Sequence, residues 1–311
     1  MEQTFEPIDR TSVPELDKIL GVPFQVLDDG FVRVIDYMGS DSSIVQAARV
    51  SYGKGTKKLR EDEGLIRYLL RHHHTSPLEM CEIKLHIRVP MDCWRQWIRH
   101  RTASVNEYST RYSIAIDAAQ TTKPGAWRLQ ATSNRQGSEG FLELDKGKIF
   151  STREHELHEL ARTVYNERIE AGLAREQARK DLPLSTYTEA YWKTNLHNLL
   201  HFLALRMEAH AQLEIRTYAT TIGSEILSKW CPLVWEAFKD YQFGAMELSK
   251  QEIDILARMH AGDANGARAL AVQFGFLPPE GELIKFNLER SEMEQKFELL
   301  GIRLPWLEPL P

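Results

Sequence analysis

The stretch RQWIRHRTASVNEYSTRYS, Arg95 to Ser113, gathers Arg95, Arg99, His100, Arg101 and Arg111 among Ser, Thr, Asn, Glu and Tyr. A solvated helix face would pair such arginines with acids three or four residues away. Only Asp92 and Glu107 lie nearby. Guanidinium forks grip oxyanions and planar imides bidentately, so the span reads as a pocket for phosphorylated or imide-bearing ligands. A salt-bridged surface and a nucleic-acid patch are the alternatives. A single-stranded nucleic-acid grip needs aromatic platforms beside its charges, which Tyr108 and Tyr112 could supply. The chain of 311 residues nevertheless carries a formal net charge of −5, whereas general nucleic-acid binders are basic over a whole face. Local cations in an acidic chain suit small anionic ligands, and no nucleic-acid partner is expected.

Two further groups carry chemistry. In HHHTSPLEM, His72 to Met80, neighbouring histidines on a helix point about 100° apart, and metal motifs use i, i+4 pairs. No metal site is expected there; one histidine is expected to line a pocket with Ser76 and Glu79. In NLHNLLHFLALRMEAH, Asn195, His197, His201, Arg206 and His210 interrupt an apolar helix. Buried polar groups need partners, so these are satisfied core residues or a ligand-facing stripe. The set as a whole favours the stripe. No Gly-rich phosphate loop, Walker motif or GxSxG elbow is present, so any nucleotide would be held by arginines and helix ends.

The elements that position these groups follow from periodicity. FQVLDDGFVRVIDYMG reads as two strands about an Asp28-Asp29-Gly30 turn. CEIKLHIRV alternates apolar Cys81, Ile83, Leu85, Ile87 and Val89 with polar residues, the mark of a half-buried strand. Pro90 ends it and opens a helix carrying Trp94 and Trp97. STYTEAYWKT, β-branched and aromatic, is a further strand; Asn195 then caps the next helix, and another runs from about Ala211 to Trp230. Asp41 is expected to cap SSIVQAARV, with a glycine-marked loop at Tyr52–Thr56 after it. Residues 120–147 read as a long loop, and Ser151 with Glu154 as a capping box for a helix ending near Gly172. Ser249/Glu252 and Ser291/Glu294 read as further boxes. The fold class is α+β: a central β-sheet with long helices. Residues 1–23 are a loosely packed lead-in, 24–244 the main domain and 245–311 a helical C-terminal extension.

Composition agrees with a folded protein, at 42% hydrophobic and 27% charged residues. Cys81, Cys93 and Cys231 show no paired spacing, which favours free thiols in a reducing compartment. With no apolar signal core at the amino terminus and no run approaching the roughly 20 residues of a membrane span, a cytoplasmic location with no membrane partner is expected.

RHRTASVNEYSTR, Arg99 to Arg111, resembles the signature of the flavin-dependent thymidylate synthases: Arg-His-Arg, seven residues, then Ser. AARVSY at 47–52, HTSPLE at 74–79, RQW at 95–97, ARKDLPL at 178–184 and LRMEAHAQLEIRTYA at 205–219 support it, over roughly residues 24–243. The resemblance implies an oligomer-forming catalytic domain, a homotetramer with FAD at subunit interfaces. It implies conversion of dUMP to dTMP, with methylenetetrahydrofolate and NADPH as co-substrates and without a cysteine nucleophile. By position it assigns flavin contacts to Ser76, Arg99, His100, Arg101, Thr102 and Glu107, and to Asn195, Leu196, His197 and His201. It assigns dUMP binding to Gln96, Trp97 and Ile98, with Arg99, and to Glu107, Tyr108, Ser109, Thr110, Arg111 and Arg179. Arg206 is implied as the catalytic residue that holds and activates the pyrimidine. His197 and His201 stand where some relatives carry Arg and Asn.

Overall fold

A computed structural model of the chain describes residues 10–50, 59–131 and 137–307. The glycine-marked loop expected at Tyr52–Thr56 lies outside these residues. The chain divides into two compact units, Met1–Phe243 and Gly244–Pro311.

In the first unit the runs flanking Asp28-Asp29-Gly30 form strands β1 (Phe24–Val26) and β2 (Gly30–Met38), paired antiparallel. A side chain at Gly30 would collide with the Tyr218 hydroxyl and with the carbonyls of Val26 and Arg88, so the turn needs glycine. Strand β3 (Glu82–Pro90) buries Ile83, Leu85, Ile87 and Val89 completely, as its alternation requires. The edge strand β4 (Ser104–Glu107) is exposed at all four residues. Strands β5 (Arg128–Gln130) and β6 (Ser138–Phe141) make a separate two-stranded sheet. With β7 (Tyr187–Asn195), the main sheet has the order β1-β2-β3-β7-β4, antiparallel throughout.

The apolar face of this sheet is covered by helices Met91–Trp97, Leu196–Arg206 and Leu213–Thr221. Trp97 is the hub: its ring lies 5.5 Å from Trp192, 4.7 Å from Phe202 and 5.8 Å from Tyr218. Truncating one such buried aromatic to Ala costs about 3–5 kcal/mol. Asn195 accepts from the Asn198 amide at 2.9 Å, which starts the helix where its cap residue predicts.

Several local expectations are overruled by tertiary contacts. Residues 10–23 are tied down, because Leu16 is wholly buried and Tyr37 donates to Asp17 at 2.6 Å. The cap of helix Asp41–Arg49 is Ser40, in a reciprocal pair with Ser43. Asp41 instead accepts from the amides of Leu233 and Val234, at 2.9 and 3.2 Å, and caps the distant helix Pro232–Phe238. Within 120–147 lie a 3-10 turn, β5 and β6, and the following helix already begins at Leu144 and runs to Glu170. Ser151 therefore sits inside that helix, donating to the Thr122 carbonyl at 2.6 Å, while Glu154 accepts the Thr122 amide at 2.6 Å. Both residues fasten the preceding segment rather than start a helix.

The second unit packs helices Lys250–His260, Ala264–Gln273 and Leu288–Leu299 around Ile255, Phe276, Met293 and Phe297. Ser249 and Glu252 form their capping box. Ser291 lies within Leu288–Leu299, whose cap is Asn287. Among the described residues, no helix is long and apolar enough to cross a membrane, and no cluster of His, Cys, Asp or Glu could hold a metal ion.

Candidate active site

Helix Met91–Trp97 delivers the Arg99–Thr102 turn to the carboxyl end of helix Leu196–Arg206. Between them lies a cavity of about 440 Å³ lined by Arg99, His100, Arg101 and Thr102 from the turn and by His197, His201 and Arg206 from the helix. Asn198, Leu205, Trp192 and Thr194 complete its wall. Asn198, His201 and Leu205 follow one another at three and four residues, so helical periodicity projected from His201 would have found the first and third.

The Arg206 Nε donates to His100 Nε2 at 3.1 Å. That nitrogen must then be an acceptor, which leaves the ring proton on Nδ1. Burial, reinforced by the Arg206 charge and by His201, pushes the His100 imidazole down to about 4, so it stays neutral at physiological pH. The His100 ring also meets Phe202 edge-on at 5.0 Å. Burial lowers the Arg206 guanidinium from its ordinary value as well. Arg99 and Arg101 are exposed, and neither takes part in an ion pair among the described residues. Unpaired guanidinia on a concave wall favour anions.

A second cavity, about 530 Å³, is lined by the last residue of β4 and the segment that follows it. Its lining includes Glu107, Tyr108, Ser109, Thr110, Arg111 and Arg179, with Lys180 as a further cation that its neighbourhood to Arg179 could have suggested. The Tyr108 amide is pinned to the Glu189 carbonyl at 2.8 Å, and its hydroxyl donates to the Ile114 carbonyl at 2.8 Å. Thr188 donates to Glu107 at 3.0 Å, Arg179 donates to the Thr110 hydroxyl, and Arg111 pairs with Glu176 at 3.2 Å. The residues expected around one nucleotide are therefore divided: Arg206 opens on the first cavity, Ser109, Arg111 and Arg179 on the second.

Other expected residues stand apart. The Trp97 side chain is wholly buried, and Ile98 packs against the same core, so neither side chain reaches solvent freely. Leu196 is likewise wholly buried, and the Asn195 side chain is engaged as a helix cap. Gln96 is half-buried and bonded to Gln212. Ser76 and Glu79 are exposed on the short helix Ser76–Glu79, outside the lining of both cavities. Of the histidine triplet, His72 and His74 pack on Tyr68 with centroids 4.3 and 5.5 Å away. His210 pairs with Glu208 at 2.6 Å, away from the Arg206 cavity.

Residues 33–233 match the family described as thymidylate synthase complementing protein. A flavin-dependent thymidylate synthase of Wolbachia pipientis wMel is 51% identical over 258 residues, covering 83% of this chain and 90% of its own. The chain belongs to the flavin-dependent thymidylate synthases. A second such synthase, from Rickettsia conorii, is 49% identical over 267 residues, covering 82% and 90%. The fold of this family member also resembles that of a UMP/dUMP methylase, PolB of Streptomyces cacaoi, solved with 5-Br dUMP. That match has a TM-score of 0.64 at 30% identity and covers 71% of this chain and 99% of PolB.

The arrangement fits the flavin that the family name implies. Guanidinia at Arg99 and Arg101, with no ion-pair partner among the described residues, suit a diphosphate, and the imidazoles of His197 and His201, the Thr102 hydroxyl and the Leu205 side chain suit a ring system.

Proposed function

We propose that this enzyme methylates dUMP to dTMP, with methylenetetrahydrofolate as carbon donor and FAD reduced by NADPH. The observation that carries the reading is the Arg206–His100 pair inside a cavity bordered by Arg99 and Arg101, which take part in no ion pair among the described residues. Arg206 has five N–H donors and commits Nε to His100, which leaves its Nη groups for the pyrimidine. A half-buried guanidinium held in this way stabilises negative charge that develops on the uracil ring as it accepts a hydride. Bound FAD supplies that reducing chemistry. Arg99, Arg101 and Thr102 hold it, with His197 and His201 across the cavity.

Tyr108, Ser109, Thr110, Arg111 and Arg179 hold the nucleotide phosphate and sugar. Because they open on a different cavity from Arg206, a complete site needs the second cavity from another copy of the chain. A homotetramer with FAD at subunit interfaces meets that requirement, and the exposed strand Ser104–Glu107 leaves an edge open to another copy. No thiol takes part: Cys81, Cys93 and Cys231 are all buried, and burial pushes Cys81 up to about 12 and raises Cys93 and Cys231 well above the ordinary thiol range too.

Purified protein should show an oxidised-flavin absorption spectrum, and should form dTMP from dUMP only with methylenetetrahydrofolate and NADPH both present. Sedimentation should show a tetramer. A monomer that keeps stoichiometric FAD and full activity refutes the shared site, and dTMP formation without NADPH refutes the reductive route.

A further inference from the structure

Helix Met91–Trp97 carries Asp92 and Gln96 one turn apart on a single face. Gln212, the residue preceding helix Leu213–Thr221, reaches between them. Its Nε2 donates to Asp92 Oδ2 at 3.2 Å, and its Oε1 accepts from Gln96 Nε2. All three residues are half-buried. The start of the helix is itself fixed, because the amides of Met91 and Asp92 donate to the carbonyls of Thr186 and Leu184 at 3.0 Å. Leu184 and Thr186 line the cavity that holds Tyr108–Arg111.

The two ends of a carboxamide have the same shape, so its orientation is set by its partners. Here the partner at the far end decides. A carboxylate accepts and cannot donate, so Gln212 must turn its amino group to Asp92. The Gln212 carbonyl then faces Gln96, and Gln96 must offer an N–H to it. That leaves Gln96 with its carbonyl oxygen and one remaining amide hydrogen, in a fixed rotamer.

We propose that Asp92 and Gln212 are positioning residues that lock the Gln96 carboxamide in one orientation for the nucleotide. The proposal rests on the assignment of Gln96 to dUMP that the family resemblance implies; within one copy of the chain Gln96 lines neither cavity. Neither positioning residue lines the cavity of Arg206 or that of Ser109 and Arg111. Asp92 gives the relay its polarity and Gln212 transmits it. Pre-orienting a polar group lowers the ordering cost of binding, so the relay acts on affinity for dUMP and leaves the affinity for NADPH alone.

The test measures KM for dUMP and for NADPH in the full-length, flavin-loaded enzyme. Gln212→Glu puts a second carboxylate against Asp92 and removes the donor between them. Its KM for dUMP should rise about 10-fold, the scale of one lost hydrogen bond to a charged group. The double variant, Asp92→Asn with Gln212→Glu, restores the relay with the charge moved one place. The carboxamide introduced at position 92 donates to the carboxylate introduced at position 212, and that carboxylate still accepts from Gln96. The double variant should return KM for dUMP to within about threefold of the parent. Gln212→Met, which removes both hydrogen bonds without adding charge, should raise KM for dUMP in the same direction and serves if Gln212→Glu fails to fold. An unchanged KM for dUMP in Gln212→Met overturns the proposal, as does a double variant no better than Gln212→Glu, or a parallel rise in KM for NADPH. A parent enzyme that makes no dTMP removes the functional reading, and the proposal with it.

Discussion

Replacing Arg206 by alanine removes the guanidinium that lines the first cavity and leaves His100 Nε2 without its donor. The size of the effect follows from the burial. Two unit charges about 4 Å apart interact by about 4 kcal/mol at an effective dielectric of about 20. The charge developing on a uracil ring is partial, and removal of a single oxyanion-type donor costs about 2.7–4 kcal/mol, or about 10²–10³-fold in turnover. Methylation of dUMP by Arg206→Ala should fall by that factor. Reduction of the flavin by NADPH, followed by stopped-flow bleaching of the flavin band, should fall far less, because no uracil charge develops in that half-reaction. Arg206→Lys keeps the charge but loses the planar fork, so it should lie between, about 10-fold below the parent. Equal losses in both half-reactions, with flavin content unchanged, would show that Arg206 serves the cavity as a whole and not the pyrimidine.

A variant with Cys81, Cys93 and Cys231 all changed to alanine should still form dTMP, at a stability cost of about 1 kcal/mol per buried site; a folded, FAD-loaded variant that forms none refutes the absence of a protein nucleophile. Burial pushes the Asp41 carboxyl up to about 6 from an ordinary 3.8, against the lowering effect of the Leu233 and Val234 amides. The folded state then holds that proton more tightly than the unfolded chain, so this group's contribution makes stability fall as pH rises from about 4 to about 6. Urea midpoints of Asp41→Asn against parent over that range should show a flatter dependence in the variant; parallel curves refute the assignment. In the second unit, Glu252 is 4% exposed and accepts from Lys296 at 2.9 and 3.2 Å. Lys296→Met should lower the protection of the Lys250–His260 amides in hydrogen exchange by about 1–3 kcal/mol, and unchanged protection would show the pair to be inert.

The sequence by itself determined those features that depend on near neighbours. Alternation along Cys81–Val89 specified a strand with one buried face, because a period of two leaves no other way to bury five apolar side chains together. Asn195 marked a helix start because its side chain can satisfy an amide three residues ahead. The signature at Arg99–Ser109 was legible because its polar residues are closely spaced, and it carried the family with it.

Tertiary structure decided what each polar group does. Asp41, Ser151 and Glu154 all looked like local caps, yet Asp41 serves amides at Leu233 and Val234, and Ser151 and Glu154 both hold Thr122. A cap residue is defined by the amides that come within reach, and sequence spacing records only the nearby ones. The same reason separates Trp97, wholly buried, from its exposed neighbour Arg95 in a segment that reads as uniformly functional. Packing also made His100 a neutral acceptor for Arg206, 106 residues away, and divided the expected nucleotide contacts between two cavities. Desolvation and charge proximity are properties of three-dimensional neighbourhoods, so no pattern along the chain could have specified them.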